Sequence, residues 1–255
     1  MPIQIEEFYT PTKIKEALSL ISSRDARILA GSTTLGKLRN LKVKKMVNIM
    51  NLPLSYVKED EKYIYIGATT TIEEVLEDSI IQKRFPFIYK ALLQFGAWGI
   101  RTMATVGGSV FTSFPWSDVT PLFLVLDAKV HLLSERDERL LPLDNFLNDK
   151  REYLNGYLLK EVIIDKNNCG KERDFKKIAL SSFDLALLNF AYVKGEGFVR
   201  IAVGARPGRP IRLKKTEKTR NVEDGIEEAG LGDDFRVSKK WREEVLRTLL
   251  SEVLS

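Results

Sequence analysis

Hydrophobic and polar positions change their period several times along the chain, and each change marks an element. Ile14, Ala17, Leu18 and Ile21 recur at helical spacing behind Thr10-Pro11, which reads as a cap followed by proline at the first helical position. The short run Arg27-Ile28-Leu29-Ala30 predicts a buried strand that feeds straight into Gly31-Ser32-Thr33-Thr34-Leu35-Gly36. Further strands are predicted at 45–49 and 63–68, and Thr71-Ile72-Glu73-Glu74 is a capping box that opens the next helix. A helix over 87–95 places Ile88, Ala91, Leu92 and Phe95 on one face. The pattern then breaks over 96–121, where Gly96, Gly99, Gly107, Gly108, Pro115 and Pro121 predict functional loops. Trp98, Phe111, Phe114 and Trp116, interleaved there, argue against disorder. Residues 122–126 are apolar and 129–133 alternate as a strand. Two apolar runs, 185–193 and 198–203, flank Gly195-Glu196-Gly197 as in a hairpin. A last amphipathic helix starts near Ser238, with Trp241, Val245, Leu249 and Val253 on its face. The class is α+β with at least two sheets and a domain boundary near residue 165.

Composition narrows the chemistry more than the class. A chain of 255 residues, 44% hydrophobic and 29% charged, fits two modest globular domains. No apolar run approaches the ~18 residues of a membrane span. The N-terminal residues lack the basic and apolar regions of a signal peptide, so a soluble, cytoplasmic chain is expected. One cysteine, Cys169, and one histidine, His131, rule out a cysteine-based zinc site or an iron–sulfur cluster held by this chain alone. His131 sits at a polar, outward position of an alternating strand and reads as structural. If the chain is an enzyme, a cofactor carries its hard chemistry.

The net charge is +5, and it is unevenly placed. Residues 206–220 hold Arg206, Arg209, Arg212, Lys214, Lys215, Lys218 and Arg220 against Glu217, and 221–255 turn acidic. No aromatic residue lies in 206–220 to stack bases, so nucleic acid is not the expected partner. The run reads as a solvated face or as a docking surface for a partner subunit.

Two segments carry the candidate site. Leu29-Ala30-Gly31-Ser32-Thr33-Thr34-Leu35 follows a strand, and Ala104-Thr105-Val106-Gly107-Gly108-Ser109 lies in the glycine-rich stretch. Both combine small residues, whose N–H groups can approach an anion closely, with hydroxyls that bond phosphate oxygens. Neither is Gly-x-x-x-x-Gly-Lys-Ser/Thr, and neither is Gly-x-Gly-x-x-Gly. Each alone is weak and reads first as a plain turn; two in one domain suggest a diphosphate held between them. Asp118, ten residues past Gly108, is a candidate for a ribose hydroxyl, or else a solvent-facing or turn-capping residue.

These residues carry a resemblance. Ala30-Gly31-Ser32-Thr33-x-Leu35, Ile66-Gly67-Ala68-x-Thr70, Ile100-Arg101-Thr102-Met103-Ala104-Thr105-Val106-Gly107-Gly108-Ser109, Pro115-x-x-Asp118-x-x-Pro121 and Leu126-Asp127-Ala128 follow in order. Together they resemble the FAD-binding medium subunit of molybdenum hydroxylases, the xanthine dehydrogenase and carbon monoxide dehydrogenase flavoproteins. Phe175-x-Lys177, Asp184-x-Ala186 and Arg200-Ile201-Ala202-Val203-Gly204 are similar to that family's C-terminal domain. The resemblance implies a two-part FAD-binding domain of the vanillyl-alcohol oxidase (PCMH) type over 1–165, with subdomains about 1–52 and 53–165. A smaller sheet-and-helix domain over 166–255 follows.

It also implies roles. The two loops would cradle the FAD diphosphate and Asp118 would take the adenosine ribose. Phe95 would contact the flavin or stay on its helical core face, and Lys176 or Lys177 would lie near the flavin. No catalytic side chain and no metal ligand is implied. The chain would be an electron-transfer oxidoreductase subunit working with a molybdenum-cofactor large subunit and a 2Fe–2S small subunit, delivering electrons to NAD or another acceptor. A stand-alone FAD-dependent NADH-oxidising reductase and a non-catalytic FAD- or nucleotide-binding module are the alternatives. The sequence departs from the family pattern at Ser32, where a second glycine is usual, and at Ser109, where asparagine is usual. Ser181 or Ser182 replaces a usual arginine, and Gly204-Ala205-Arg206-Pro207 alters the usual Gly-Gly-x-x-Pro.

Overall fold

A computed structural model describes residues 4–34 and 42–255. In chain order these form β1 (Gln4–Tyr9), α1 (Ile14–Ile21), β2 (Ala26–Leu29), β3 (Lys42–Asn48), β4 (Val57–Glu59) and β5 (Tyr63–Gly67). Helices α2 (Ile72–Glu77), α3 (Ser79–Arg84), α4 (Pro86–Leu92), α5 (Trp98–Arg101), α6 (Val106–Thr112) and α7 (Val119–Val125) follow. Then come β6 (Lys129–Leu133), β7 (Glu138–Pro142), α8 (Leu143–Asn148), β8 (Leu158–Asp165), β9 (Glu172–Ile178), β10 (Leu188–Gly195), β11 (Phe198–Gly204) and β12 (Ile211–Arg212). Helices α9 (Lys214–Thr219), α10 (Val222–Ala229) and α11 (Lys239–Leu254) close the chain.

Packing divides the chain into two compact units that interleave in sequence: 1–78, 98–111 and 129–163 in the first; 79–97, 112–128 and 164–255 in the second. The first unit holds a three-stranded sheet, β1-β3-β2, and a five-stranded sheet, β4-β5-β8-β6-β7. Strands β1 and β2 both run parallel to the central β3. Helix α1 seals this small sheet with Ala17 and Ile21, packed with Val47, Ile49, Leu52 and Leu54. The second unit holds β12-β11-β10-β9, with Leu188, Phe190, Ile201 and Val203 of the sheet meeting Leu246, Leu250 and Val253 of α11.

Several local signals operate as the sequence dictates. Thr71 Oγ1 accepts from Glu74 N–H while the Glu74 carboxylate accepts from Thr71 N–H, a complete capping box. Gly195-Glu196-Gly197 turns between β10 and β11, with Gly197 at φ 77°. Ser238 caps α11 through Trp241 N–H. His131 faces out of β6, its ring nitrogens 2.9 Å from Glu161 and 3.1 Å from Glu138, beside a register shift against β8.

Others are overridden. Helix α1 is capped at Lys13 rather than Thr10, without a side-chain bond. The stretch 96–121, read as loops, winds into α5, α6 and α7. Helix α4 stops at Leu92, leaving Phe95 half-buried on a bend past its end instead of on a core face. The deepest residues of α11 are Arg242, Leu246, Leu250 and Val253; Val253 is where the stripe put it, while Trp241, Val245 and Leu249 pack half-buried against the same core.

The basic run over 206–220 is not a single solvated face. Arg206 donates to the Ala229 carbonyl at the end of α10, Arg212 pairs with Asp127 and Glu217, and Lys215 pairs with Asp224 and Glu227. Counter-charges thus reach the run from Asp127, from Glu217 within it and, at Lys215, from the acidic stretch that follows.

The β6–β7 turn yields a pH prediction. Asp137 accepts from Ser134 Oγ (2.6 Å), Arg139 Nε (2.6 Å) and the Tyr157 hydroxyl (2.9 Å), and these bonds lower its carboxyl to about 2. A lowered folded-state value stabilises the native state above the unfolded carboxylate range, about pH 4, and that gain is lost as pH falls through about 2. Urea unfolding should therefore show Asp137→Asn less stable than wild type at pH 6. The gap should close by pH 2, and a gap independent of pH would refute this assignment.

Candidate functional site

The first unit brings the two glycine segments into direct contact. Strand β2 ends at Leu29, and Ala30 to Thr34 leave its carboxyl end, the side on which open parallel sheets bind ligands. A Cβ on Gly31 would lie 1.5 Å from the Met103 carbonyl oxygen, so only glycine lets this loop rest on the segment that opens the other one. The second segment is anchored to 68–72: Ile72 N–H donates to Ala104 O (2.8 Å), Val106 N–H to Thr70 O (2.9 Å) and Gly107 N–H to Ala68 O (2.9 Å). A Cβ on Gly107 would come within 2.7 Å of the Ala68 carbonyl.

The two loops differ in what they leave available. In the second, Gly108 N–H is taken by Thr105 Oγ1 (3.1 Å) and Ser109 N–H by Thr105 O (2.9 Å), so its amides from Val106 to Ser109 are already bonded. In the first, the N–H groups of Gly31, Ser32, Thr33 and Thr34 have no acceptor among the described residues. These residues are exposed or half-buried, and successive backbone donors of this kind are what phosphate oxygens accept from. The second loop serves as the first one's buttress, a division of labour that the composition of the two segments does not reveal. Leu35 lies outside the described residues.

Ser32 stands in the left-handed region at φ 61°, its hydroxyl donating to Ala30 O (3.2 Å). That conformation favours glycine. Ser32→Gly should raise the thermal midpoint, a gain of up to about 1 kcal/mol after glycine's entropic cost. A lowered midpoint, read by circular dichroism, would show that the serine hydroxyl outweighs the backbone strain.

The second unit holds the other sequence-predicted residues. Asp118 precedes α7 and is 5% exposed; Lys177 Nζ donates to its Oδ2 at 2.9 Å and Asn189 Nδ2 to its Oδ1 at 3.3 Å. Burial pushes the Asp118 carboxyl above its ordinary value, against the opposing pull of Lys177 and Asn189. Ser117, not Asp118, caps α7, its Oγ accepting from Thr120 N–H at 3.1 Å. Lys177 also donates to the Gln94 carbonyl at 2.8 Å, one residue before Phe95. Lys176 instead points to solvent and pairs with Asp174. Sequence reasoning missed Asn189, although a lone asparagine inside the apolar run of β10 is itself a signal of a buried amide needing a partner.

Among the described residues no helix is long and apolar enough to cross a membrane. The family model described as the FAD binding domain in molybdopterin dehydrogenase matches residues 3–166. The chain is 31% identical over 185 residues to the nicotinate dehydrogenase FAD-subunit of Eubacterium barkeri, covering 68% of this chain and 62% of that one. It is 26% identical over 254 residues to the glyceraldehyde dehydrogenase medium chain of Sulfolobus acidocaldarius, covering 95% and 84%. In three dimensions it is similar to a chain of carbon monoxide dehydrogenase from Hydrogenophaga pseudoflava, with a TM-score of 0.87, 20% identity and coverage of 99% and 96%. A chain of quinoline 2-oxidoreductase from Pseudomonas putida 86 gives 0.85, 21% identity and coverage of 100% and 97%. Both likenesses are of fold. The family model spans more than half of the sequence, including both glycine segments, and the chain accordingly belongs to the FAD-binding domain family of the molybdopterin dehydrogenases, the FAD-binding medium subunits of molybdenum hydroxylases, with FAD as its cofactor.

Proposed function

We propose that this chain is the electron-transfer subunit of a molybdenum-containing hydroxylase or dehydrogenase. Its partners are a large subunit carrying the molybdenum cofactor, where substrate is oxidised, and a small subunit carrying 2Fe–2S clusters. Electrons leave to NAD or another acceptor, and the complex is cytoplasmic. We read the first unit's sheets as the two-part FAD-binding domain of the vanillyl-alcohol oxidase (PCMH) type, with domain limits near 1–52, 53–165 and 166–255.

The observation that carries the reading is the row of amides from Gly31 to Thr34 with no acceptor among the described residues, set on Met103 by the missing side chain of Gly31. FAD, when bound, supplies exchange between one-electron and two-electron carriers. The chain's residues bind and orient it. Amides of Gly31, Ser32, Thr33 and Thr34 donate to diphosphate oxygens, and the hydroxyls of Thr33, Thr34 and Ser109 add donors at the rim. Thr105, Gly107 and Gly108 hold the second loop in place, and Leu29 and Ala30 deliver the first. Asp118 and Phe95 are assigned the adenosine ribose and the flavin. No side chain needs to move a proton for this role, which suits a sequence with a single histidine, itself engaged with two glutamates.

The test is the visible absorption spectrum of the purified chain, loaded with FAD and then desalted. About one flavin per chain, released as FAD on denaturation, is expected. A colourless chain after loading would overturn the reading.

A further inference from the structure

The second unit contains a buried polar cluster that joins the residues assigned above to the cofactor. Lys177 on β9 and Asn189 on β10 are cross-strand partners in register. Each grips one oxygen of the Asp118 carboxylate: Lys177 Nζ at 2.9 Å on Oδ2 and Asn189 Nδ2 at 3.3 Å on Oδ1. The lysine's second bond, 2.8 Å to Gln94 O, ties the bend that carries Phe95 to the same point. The amide's second bond, 3.0 Å to Ser117 O, fixes the backbone ahead of α7.

Two features show that the carboxylate is held without being used up. Ser117 caps α7, so Asp118 is not spent on the helix end. Each carboxylate oxygen offers about two acceptor sites and has one donor among the described residues, which leaves one site apiece there. Lys177 is nearly fully buried, with its ammonium inside the protein rather than at a surface. Gly204, the last residue of the Arg-Ile-Ala-Val-Gly motif, makes room for Asn189: a Cβ there would sit 2.1 Å from Asn189 Oδ1.

We infer that Lys177 and Asn189 are positioning residues, which aim Asp118 and the Phe95 bend at FAD without touching it themselves. This rests on the assignment of Asp118 to FAD made above. It replaces a flavin-contacting lysine with a tether.

The experiment compares wild type, Asp118→Asn, Lys177→Met and the double variant as full chains, by FAD titration, flavin absorption and the thermal midpoint without FAD. Lys177→Met alone strands a buried carboxylate and should lower the midpoint; the double variant removes both charges and should regain it. With the tether acting through Asp118, FAD affinity should fall roughly tenfold or more in each single variant, a loss of about 1.4 kcal/mol. The double variant should fall no further than Asp118→Asn, and the flavin bands should stay in place throughout. Recovery of both midpoint and affinity in the double variant would make the pair purely structural and overturn the inference. Losses that multiply, or flavin bands shifted in Lys177→Met, would place the lysine at the cofactor and overturn it too. Wild type that fails to hold FAD would overturn the proposed function itself, and the inference with it.

Discussion

Gly31→Val is expected to abolish retention of FAD through desalting while the chain remains folded by circular dichroism. The first atom of the new side chain would fall 1.5 Å from the Met103 carbonyl oxygen, a backbone atom that cannot swing aside. The 30–34 loop must lift from the 103–109 segment, and the amides of Gly31 to Thr34 move with it. A hydrogen bond to a charged partner contributes roughly 1.5–3 kcal/mol, so losing two of them removes about 3 kcal/mol or more, roughly a hundredfold in affinity. Gly99→Ala is the control, because a Cβ there meets nothing within 4 Å. It should bind FAD as wild type does. Retention of FAD by Gly31→Val would show that the cradle does not depend on the contact between the loops.

That contact illustrates which parts of the site were legible. The two segments announced themselves through small residues and hydroxyls packed into short windows, and their meeting was a sound expectation. Their different roles were not legible. The amides of 106–109 are consumed by Ala68, Thr70 and Thr105, and only the folded partners reveal which donors remain. The Lys177–Asp118 pair spans 59 residues of sequence, so no local pattern could couple them. It also separates Lys177 from Lys176: adjacent strand positions face opposite ways, one inward to Asp118 and one outward to Asp174.

The fold was most legible where a signal is self-contained. The Thr71–Glu74 box, the Gly195–Gly197 turn and the Ser238 cap each complete their bonds within a few residues. Failures came where tertiary packing outweighed a weak local preference. Thr10-Pro11 lost the helix start to Lys13, and the glycines of 96–121 were drawn into short helices whose apolar residues, such as Val106, Val110 and Leu122, are buried. On α11 the apolar stripe did mark core-packing residues, Val253 among them, but the fully buried Arg242 was not legible because an arginine reads as polar.

Arg242→Met should lower global stability by about 3 kcal/mol, roughly the loss of two hydrogen bonds made by a charged group in a buried site. Arg242 is 0% exposed, and its guanidinium serves as a hub between segments of the second unit. Its Nε donates to Leu187 O at 2.9 Å, and one Nη donates to Gly232 O and Val237 O. The other reaches Asp234 at 2.7 Å. Asp234 is buried enough to be pushed up, yet the backbone and side-chain bonds of Arg236, together with Arg242, hold its carboxyl far below the ordinary range. Methionine would match much of the stem's volume but supply no donors, leaving the Leu187 and Gly232 carbonyls without this partner in a water-excluded site. Arg242→Lys, with one ammonium in place of a planar fork, should recover only part of the loss. Denaturant unfolding reads both, and a change under about 1 kcal/mol for Arg242→Met would mean that α11 is held by Leu246, Leu250 and Val253 alone. The alternative would be a helix whose apolar stripe decides its docking and whose arginine merely tolerates burial. Four guanidinium contacts converging on residues 187, 232, 234 and 237 argue instead that the arginine selects which face of α11 turns inward.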